Sequence, residues 1–329
     1  MLQNAAAQLF IEPFEIDGHE LRPAIRSGVA FYPQDADTAD ALVQNAEAAL
    51  KAAQEDNEKY MLYGLVTRHP TSRSLALEAR LSGALDRNEF RLHYQPKVNI
   101  DSGRIEGLEA LLRWQDTQDG LVPPSLFVPL LERSGAIVDV GEWVLLQAVR
   151  DMRGWSAAGL AVRVAVNVSP SQLRRRDFVD RVLASSGPDL GPCCVDLEIT
   201  ESMLMQDLEL SIRKLAQLRE AGIGIAIDDF GTGYSSLRLL ARLPVDTLKV
   251  DRSFIQEIVD TPNTLILVST IISLARAFNM HTVAEGVETA EQLQILRTIK
   301  CDQAQGYLFG RPMPASDVPS AIARLSERR

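Results

Sequence analysis

The chain has 329 residues, 46% hydrophobic and 24% charged, with 44 acidic against 34 basic side chains and a formal net charge of -10. That composition has room for one large globular domain and a smaller one, and it excludes a non-specific binder of long DNA or RNA, which needs a basic face. A small phosphate ligand is not excluded, because metal ions can sit between it and an acidic protein.

The start, Met1-Leu2-Gln3-Asn4, lacks a basic region and an apolar core, so no signal peptide is expected and the chain is assigned to the cytoplasm, with or without an anchor upstream. Residues 1–62 form one block. In it Pro23–Pro33 reads as a strand and turn, and Ala39–Ala53 as an amphipathic helix. A polar linker is expected over 63–75, around Thr67-Arg68-His69-Pro70-Thr71-Ser72-Arg73.

From 76 to 329 short apolar runs alternate with helical patterns. The expected strands are Leu92–Val98, Ile105–Leu112, Val162–Val166, Val195–Ile199, Gly224–Ile227, Thr247–Val250, Thr282–Ala284 and Ala304–Leu308, with amphipathic stretches at Ser125–Ala158, Gln206–Ala221 and Ala290–Ile299. The most apolar stretch, Thr264–Ala275, is too short to span a bilayer and reads as a buried helix. Eight strands with intervening helices over about 255 residues predict an α/β protein, a (β/α)8 TIM-like barrel preceded by a small α+β segment. An open doubly wound sheet is the alternative, but no glycine fingerprint follows the first strand. Cys193 and Cys194 are adjacent, and with Cys301 they show no CxxC spacing, so all three read as packing residues in a reducing compartment.

Polar residues cluster where these strands end: Asn167, Glu198, Asp228-Asp229, Lys249 with Asp251, Glu285 and Gln305. In a barrel, that end carries the active site. Glu109 interrupts an apolar strand and shares a face with Gly107 and Leu111, so it must be paired, with Arg113 as one candidate, or bound to a metal. Asp228 and Asp229 repel one another. Either they form a solvated acidic turn, or they hold hard cations such as Mg²⁺ or Mn²⁺. Gly231-Thr232-Gly233-Tyr234-Ser235-Ser236 reads as a flexible loop. His93 and His281 lack metal-like spacing and read as structural.

Glu109-Ala110-Leu111 stands within Gly107-Leu108-Glu109-Ala110-Leu111-Leu112-Arg113-Trp114. Tyr94-Gln95-Pro96-Lys97, Asn167-Val168-Ser169, Leu197-Glu198-Ile199-Thr200-Glu201, Asp228–Tyr234, Leu248-Lys249-Val250-Asp251, Ala284–Thr289 and Gln305–Phe309 accompany it. In that order these segments resemble the motifs of EAL domains, the cyclic-di-GMP phosphodiesterases, over about residues 76–327.

The resemblance implies two-metal hydrolysis of cyclic di-GMP to linear pGpG. Glu109, Asn167, Glu198 and Asp228 would ligate one ion, and Asp228, Asp229 and Glu285 the other. Lys249 would orient or help deprotonate the attacking water, and Glu201 would anchor the loop after Asp229. Glu109, Asp229, Lys249, Glu285 and Glu201 form the implied catalytic set. Gln95, Arg113, Asp251, Glu288 and Gln305 would line the substrate pocket or support it. Carboxylates and one amide, without His or Cys, favour Mg²⁺ or Mn²⁺ over Zn²⁺. Two such ions can stabilise the attacking and leaving oxygens of an in-line displacement.

The family also implies a homodimer linked to the metal site through the 231–236 loop. Two rivals remain: a receptor that holds cyclic di-GMP without cleaving it, and an unrelated barrel enzyme acting on a sugar phosphate. The first 62 residues are similar to the C-terminal part of a GGDEF domain. The Gly-Gly-Asp-Glu-Phe segment is absent from this chain. No cyclase activity is therefore expected, and the chain reads as a piece of a longer GGDEF–EAL protein.

Overall fold

The computed structural model describes residues 14–16, 19–21, 26–32, 35–36, 38–55, 60–62, 73–187, 195–231, 240 and 242–327. Cys193, Cys194 and residues 232–236 of the expected loop lie outside the described residues, as do 63–72 of the expected linker; Arg73 already opens a helix. The chain divides into two compact units, 1–80 and 81–329.

In the first unit, strands β1 (Phe14–Ile16) and β2 (His19–Leu21) pair antiparallel, and β3 (Ser27–Val29) pairs parallel with β4 (Tyr60–Leu62). Between them runs helix α1 (Ala39–Glu55), which buries Ala49 and Ala53. Gly28 permits its close approach, since a Cβ there would lie 2.0 Å from the Ala46 carbonyl oxygen.

Helix α2 (Arg73–Leu81) leads to the second unit. There β5 (Phe90–Asn99), β6 (Ile105–Asp116) and β7 (Gly120–Val122) come first, followed by α3 (Pro124–Ser134) and α4 (Ile137–Ala157). The chain continues through β8 (Arg163–Asn167), α5 (Pro170–Arg174), α6 (Phe178–Ser186), β9 (Val195–Thr200), α7 (Glu201–Gln206), α8 (Leu208–Glu220) and β10 (Gly224–Phe230). It ends with β11 (Thr247–Val250), α9 (Arg252–Glu257), α10 (Pro262–Ala277), β12 (His281–Ala284), α11 (Ala290–Thr298), β13 (Gln303–Gln305), β14 (Met313–Pro314) and α12 (Val318–Glu327).

Strands β6 and β8 to β13 pair in parallel, each with its neighbour, and β5 closes the ring by pairing antiparallel with both β6 and β13. This is the expected TIM-like barrel with its first strand reversed. The turn at Asn99–Arg104 is too short for a crossover helix, so β5 and β6 form a hairpin. Buried on both faces, the strands alternate two kinds of side chain. In β9, Val195, Leu197 and Ile199 are buried apolar residues, while Asp196 and Glu198 occupy the other face.

Several boundaries differ from the sequence reading. Ser125–Ala158 is two helices, broken where Gly135 adopts φ 78° after α3. Strand β10 runs through Asp228 and Asp229 rather than stopping at them. Strand β13 ends at Gln305 because the chain turns at Gly306, where a Cβ would meet the Val287 carbonyl oxygen at 2.0 Å. Helix α10 is only partly buried: Ile266 is 64% exposed and Leu267 41%. No helix among the described residues is long and apolar enough to cross a membrane.

Candidate active site

Capped helices follow two of the site strands within a few residues. Ser169 accepts from the Gln172 amide while Gln172 Oε1 accepts from the Ser169 amide, just after Asn167. Thr289 and Gln292 make the same capping box after Glu285, and Gln292 also donates to the Ile255 carbonyl. These boxes fix the direction in which the chain leaves the strand ends.

Lys249 lies at the centre, 1% exposed. Its Nζ is 2.5 Å from Glu198 Oε2, 2.5 Å from Glu285 Oε1, 3.0 Å from Asp228 Oδ1 and 3.9 Å from Glu109 Oε2. Asn167 Nδ2 donates to Glu109 Oε1 at 2.8 Å. Gln305 Nε2 donates to Glu109 Oε2 and to Gln95 Oε1, and Gln95 Nε2 donates to the Gly310 carbonyl. Glu109 thus takes its partners from Asn167, Gln305 and Lys249. Arg113, the partner that the sequence suggested, is half-buried and donates to the Leu112 carbonyl.

The Asp pair is brought together by a backbone device. Successive strand residues face opposite ways, yet carboxylate oxygens of Asp228, Asp229 and Glu285 lie within 4.8 Å of one another. The pairing of β10 with β11 shifts register between Ile227 and Phe230, and Asp229 takes φ 53°, in the left-handed region. The Asp229 amide donates to Asp228 Oδ1 at 3.0 Å. A strained residue that gathers like charges points to a ligand of opposite charge.

The electrostatics are those of a centre with more carboxylates than cations. Burial raises the Glu109 pKa, and Glu198 and Asp228 add to the rise against Lys249. Burial, with Asp228 and Glu109 nearby, pushes Glu285 up to about 8 despite Lys249. Asp229 is raised by burial, Asp228 and Asp251. Glu198 goes the other way. Burial pushes it up, but Lys249 and Lys97 together outweigh burial and hold it below the ordinary range. Burial would lower Lys249, yet the four carboxylates around it raise it well above the ordinary lysine value.

The remaining expected residues scatter more. Glu201 is buried at the start of α7, and its Oε2 makes no hydrogen bond among the described residues. Asp251 caps α9 through the Ser253 amide and hydroxyl. Glu288 is exposed and pairs with Arg252 at 3.1 Å. Beside Asn167 and Arg113, a cavity of about 300 Å³ is lined also by Leu112, Val128, Val140 and Ser169.

The sequence reading assigned no role to Lys97. Its Nζ lies 3.3 Å from Glu198 Oε1, and both side chains are shielded from solvent. A lysine at the same strand parity as Gln95, on the polar face of an alternating strand, was the available signal. Arg311 stacks over the Tyr307 ring at 4.2 Å, another pair not foreseen.

The EAL domain family model matches residues 78–312. The bifunctional diguanylate cyclase/cyclic di-GMP phosphodiesterase MucR of Pseudomonas aeruginosa is 43% identical over 315 residues, covering 95% of this chain and 46% of the relative. The cyclic di-GMP phosphodiesterase NbdA of the same organism is 41% identical over 319 residues, covering 95% and 40%. The chain therefore spans less than half the length of these curated relatives. Among solved structures, the PaMucR phosphodiesterase in complex with c-di-GMP is 45% identical and superposes with a TM-score of 0.70, covering 74% of this chain and 99% of that one.

Proposed function

The chain belongs to the EAL domain family, and on that footing we propose that it is a cyclic-di-GMP phosphodiesterase. It opens one 3′–5′ phosphodiester of cyclic di-GMP to give linear pGpG. The observation that carries this reading is the convergence of Glu109, Asn167, Glu198, Asp228, Asp229 and Glu285 around Lys249 at the strand ends.

That donor set fits divalent cations. It offers hard oxygens, it outnumbers its own lysines, and it holds three carboxylates together at a strained backbone position. Glu109, Asn167, Glu198 and Asp228 would hold one ion, and Asp228, Asp229 and Glu285 the second; Mg²⁺ and Mn²⁺ both suit. When bound, such ions supply Lewis-acid stabilisation of the attacking and leaving oxygens.

The chain's own residues do the rest. In the metal-free centre the four carboxylates hold the proton on Lys249 Nζ, and from that position Lys249 would orient the attacking water through hydrogen bonds. Gln305 and Gln95 brace Glu109 from the far side. Gln305 Oε1 is buried without a hydrogen bond among the described residues and is free to accept from a substrate N–H. Arg113 adds positive charge to the lining of the 300 Å³ cavity, which has the size and the apolar residues for a base. Asp251 and Glu288 act at the rim. Glu201 steadies the segment after Asp229, and the homodimer forms through the barrel. Residues 1–62 are the end of a GGDEF-like domain, and the chain works in the cytoplasm.

The test is conversion of cyclic di-GMP with Mg²⁺ or Mn²⁺, comparing wild type with Glu109→Ala. Conversion to pGpG that is lost in the variant supports the assignment. Tight binding without turnover by wild type favours the receptor reading. No binding and no turnover overturns the substrate.

A further inference from the structure

Lys97 reaches Glu198 by an unusual route. It stands on β5, opposite Gly107 in the β5–β6 register, and it crosses the barrel interior to β9. Gly107 leaves it room: a Cβ there would lie 3.2 Å from Lys97 Cε. Each oxygen of Glu198 then meets one ammonium, Oε1 that of Lys97 at 3.3 Å and Oε2 that of Lys249 at 2.5 Å. A cation that ligates either oxygen is therefore set beside an ammonium already in contact with it, and its affinity is lowered by that charge.

Lys97 has somewhere to go. At the opposite end of the barrel lies a cavity of about 760 Å³, and Lys97 lines it together with Glu106, Arg163, Asp196, Thr247 and Val283. A four-carbon stem rooted there can swing its ammonium away from Glu198 and toward Glu106 and Asp196 without leaving a polar environment. Lys249 has no such exit, since four carboxylates surround it.

We propose that Lys97 is a resident counter-cation that competes with a divalent metal for Glu198, so that it steadies the metal-free centre and lowers its metal affinity. The inference rests on the metal reading of the site given above. Two opposing effects decide its sign. Removing Lys97 costs Glu198 one orienting hydrogen bond, which favours weaker metal binding. It also removes a positive charge that repels both charges of the incoming ion inside a shielded barrel. Charge repulsion at short range in that setting outweighs one hydrogen bond. Lys97 is therefore a positioning and tuning residue, and it does not touch the reacting atoms.

The experiment measures Mn²⁺ affinity by calorimetry, without substrate, for wild type, Lys97→Met, Lys97→Gln and Lys97→Arg. Met keeps the stem, Gln keeps a donor without charge, and Arg keeps the charge. The expected result is Mn²⁺ binding at least about tenfold tighter in the Met and Gln variants (about 1.4 kcal/mol) and close to wild type in the Arg variant. Metal-free melting temperatures should fall in the two neutral variants. Gln serves if Met fails to fold. Wild-type binding with equal or weaker binding in the neutral variants overturns this inference alone. A wild type that binds no Mn²⁺ overturns the metal reading and this inference with it.

Discussion

Replacing Lys249 by Met removes the cation that four carboxylates share. Removing one partner of a buried ion pair costs about 3–5 kcal/mol, because the charge left behind is uncompensated. The structure sets a ceiling on that cost. Glu198 can take up a proton once it loses its shorter lysine contact, the 2.5 Å pair to Oε2. Protonating a carboxylate of ordinary pKa 4.5 costs about 1.36 kcal/mol per pH unit above that value, so about 3.4 kcal/mol at pH 7 and about 0.7 kcal/mol at pH 5. The sign follows from linkage. Lys249, raised well above its ordinary value, stays charged in both conditions, so the pH dependence belongs to the carboxylates of the variant. Their extra protons are bound in the folded state only, and the variant loses ground as pH rises.

The assay is urea unfolding in EDTA of wild type and Lys249→Met at pH 5 and pH 7. The gap between them should be about 3 kcal/mol at pH 7 and below about 1 kcal/mol at pH 5, and turnover of cyclic di-GMP should fall by orders of magnitude in the variant. A gap that is constant with pH, or that widens toward pH 5, would refute the picture of Lys249 as the charge that keeps Glu198 ionised.

Glu285, pushed up to about 8, keeps its proton in the folded metal-free protein while the unfolded chain releases it near 4.5, so wild-type stability in EDTA should decline from about pH 4.5 to about pH 8. Glu285→Gln should flatten that decline, as read by denaturant midpoints across the range. Gly306→Ala drives a methyl into the backbone of Val287, with contacts of 2.0–2.6 Å, and should cost about 1–3 kcal/mol while raising the KM for cyclic di-GMP, because Gln305 adjoins it. Tyr94→Phe deletes the 2.7 Å hydrogen bond to Asp151, on the face of β5 opposite Gln95 and Lys97, and should cost about 1.5–3 kcal/mol in thermal unfolding while leaving kcat within about twofold.

What a sequence reveals of such a molecule depends on whether the cause is local. The eight barrel strands were legible because each is a short apolar run bounded by turn residues, and the acidic residues stood out because carboxylates at the ends of apolar runs are costly without partners. The reversed first strand was less legible, since strand direction is settled by which neighbours it pairs with and not by its own pattern. The break at Gly135 was visible only as one glycine within a long amphipathic stretch, and glycine alone does not announce a positive φ.

Asp229 marks the clearest limit. Period-two alternation would put Asp228 and Asp229 on opposite faces, and the sequence reading could bring both to the site only by choosing to end the strand at Ile227. The register shift against β11 and the left-handed backbone at Asp229 remove the choice and gather both with Glu285. Lys97 shows the converse case. Its residue type and parity were in plain view, but its role depends on Gly107 opposite and on Glu198 three strands away around the barrel. A carboxylate can be suspected from its own segment, because its cost is paid where it stands. A counter-charge can be assigned only when the fold has shown which carboxylate it meets, and that is why the anions of this centre were readable in the sequence and the second cation was not.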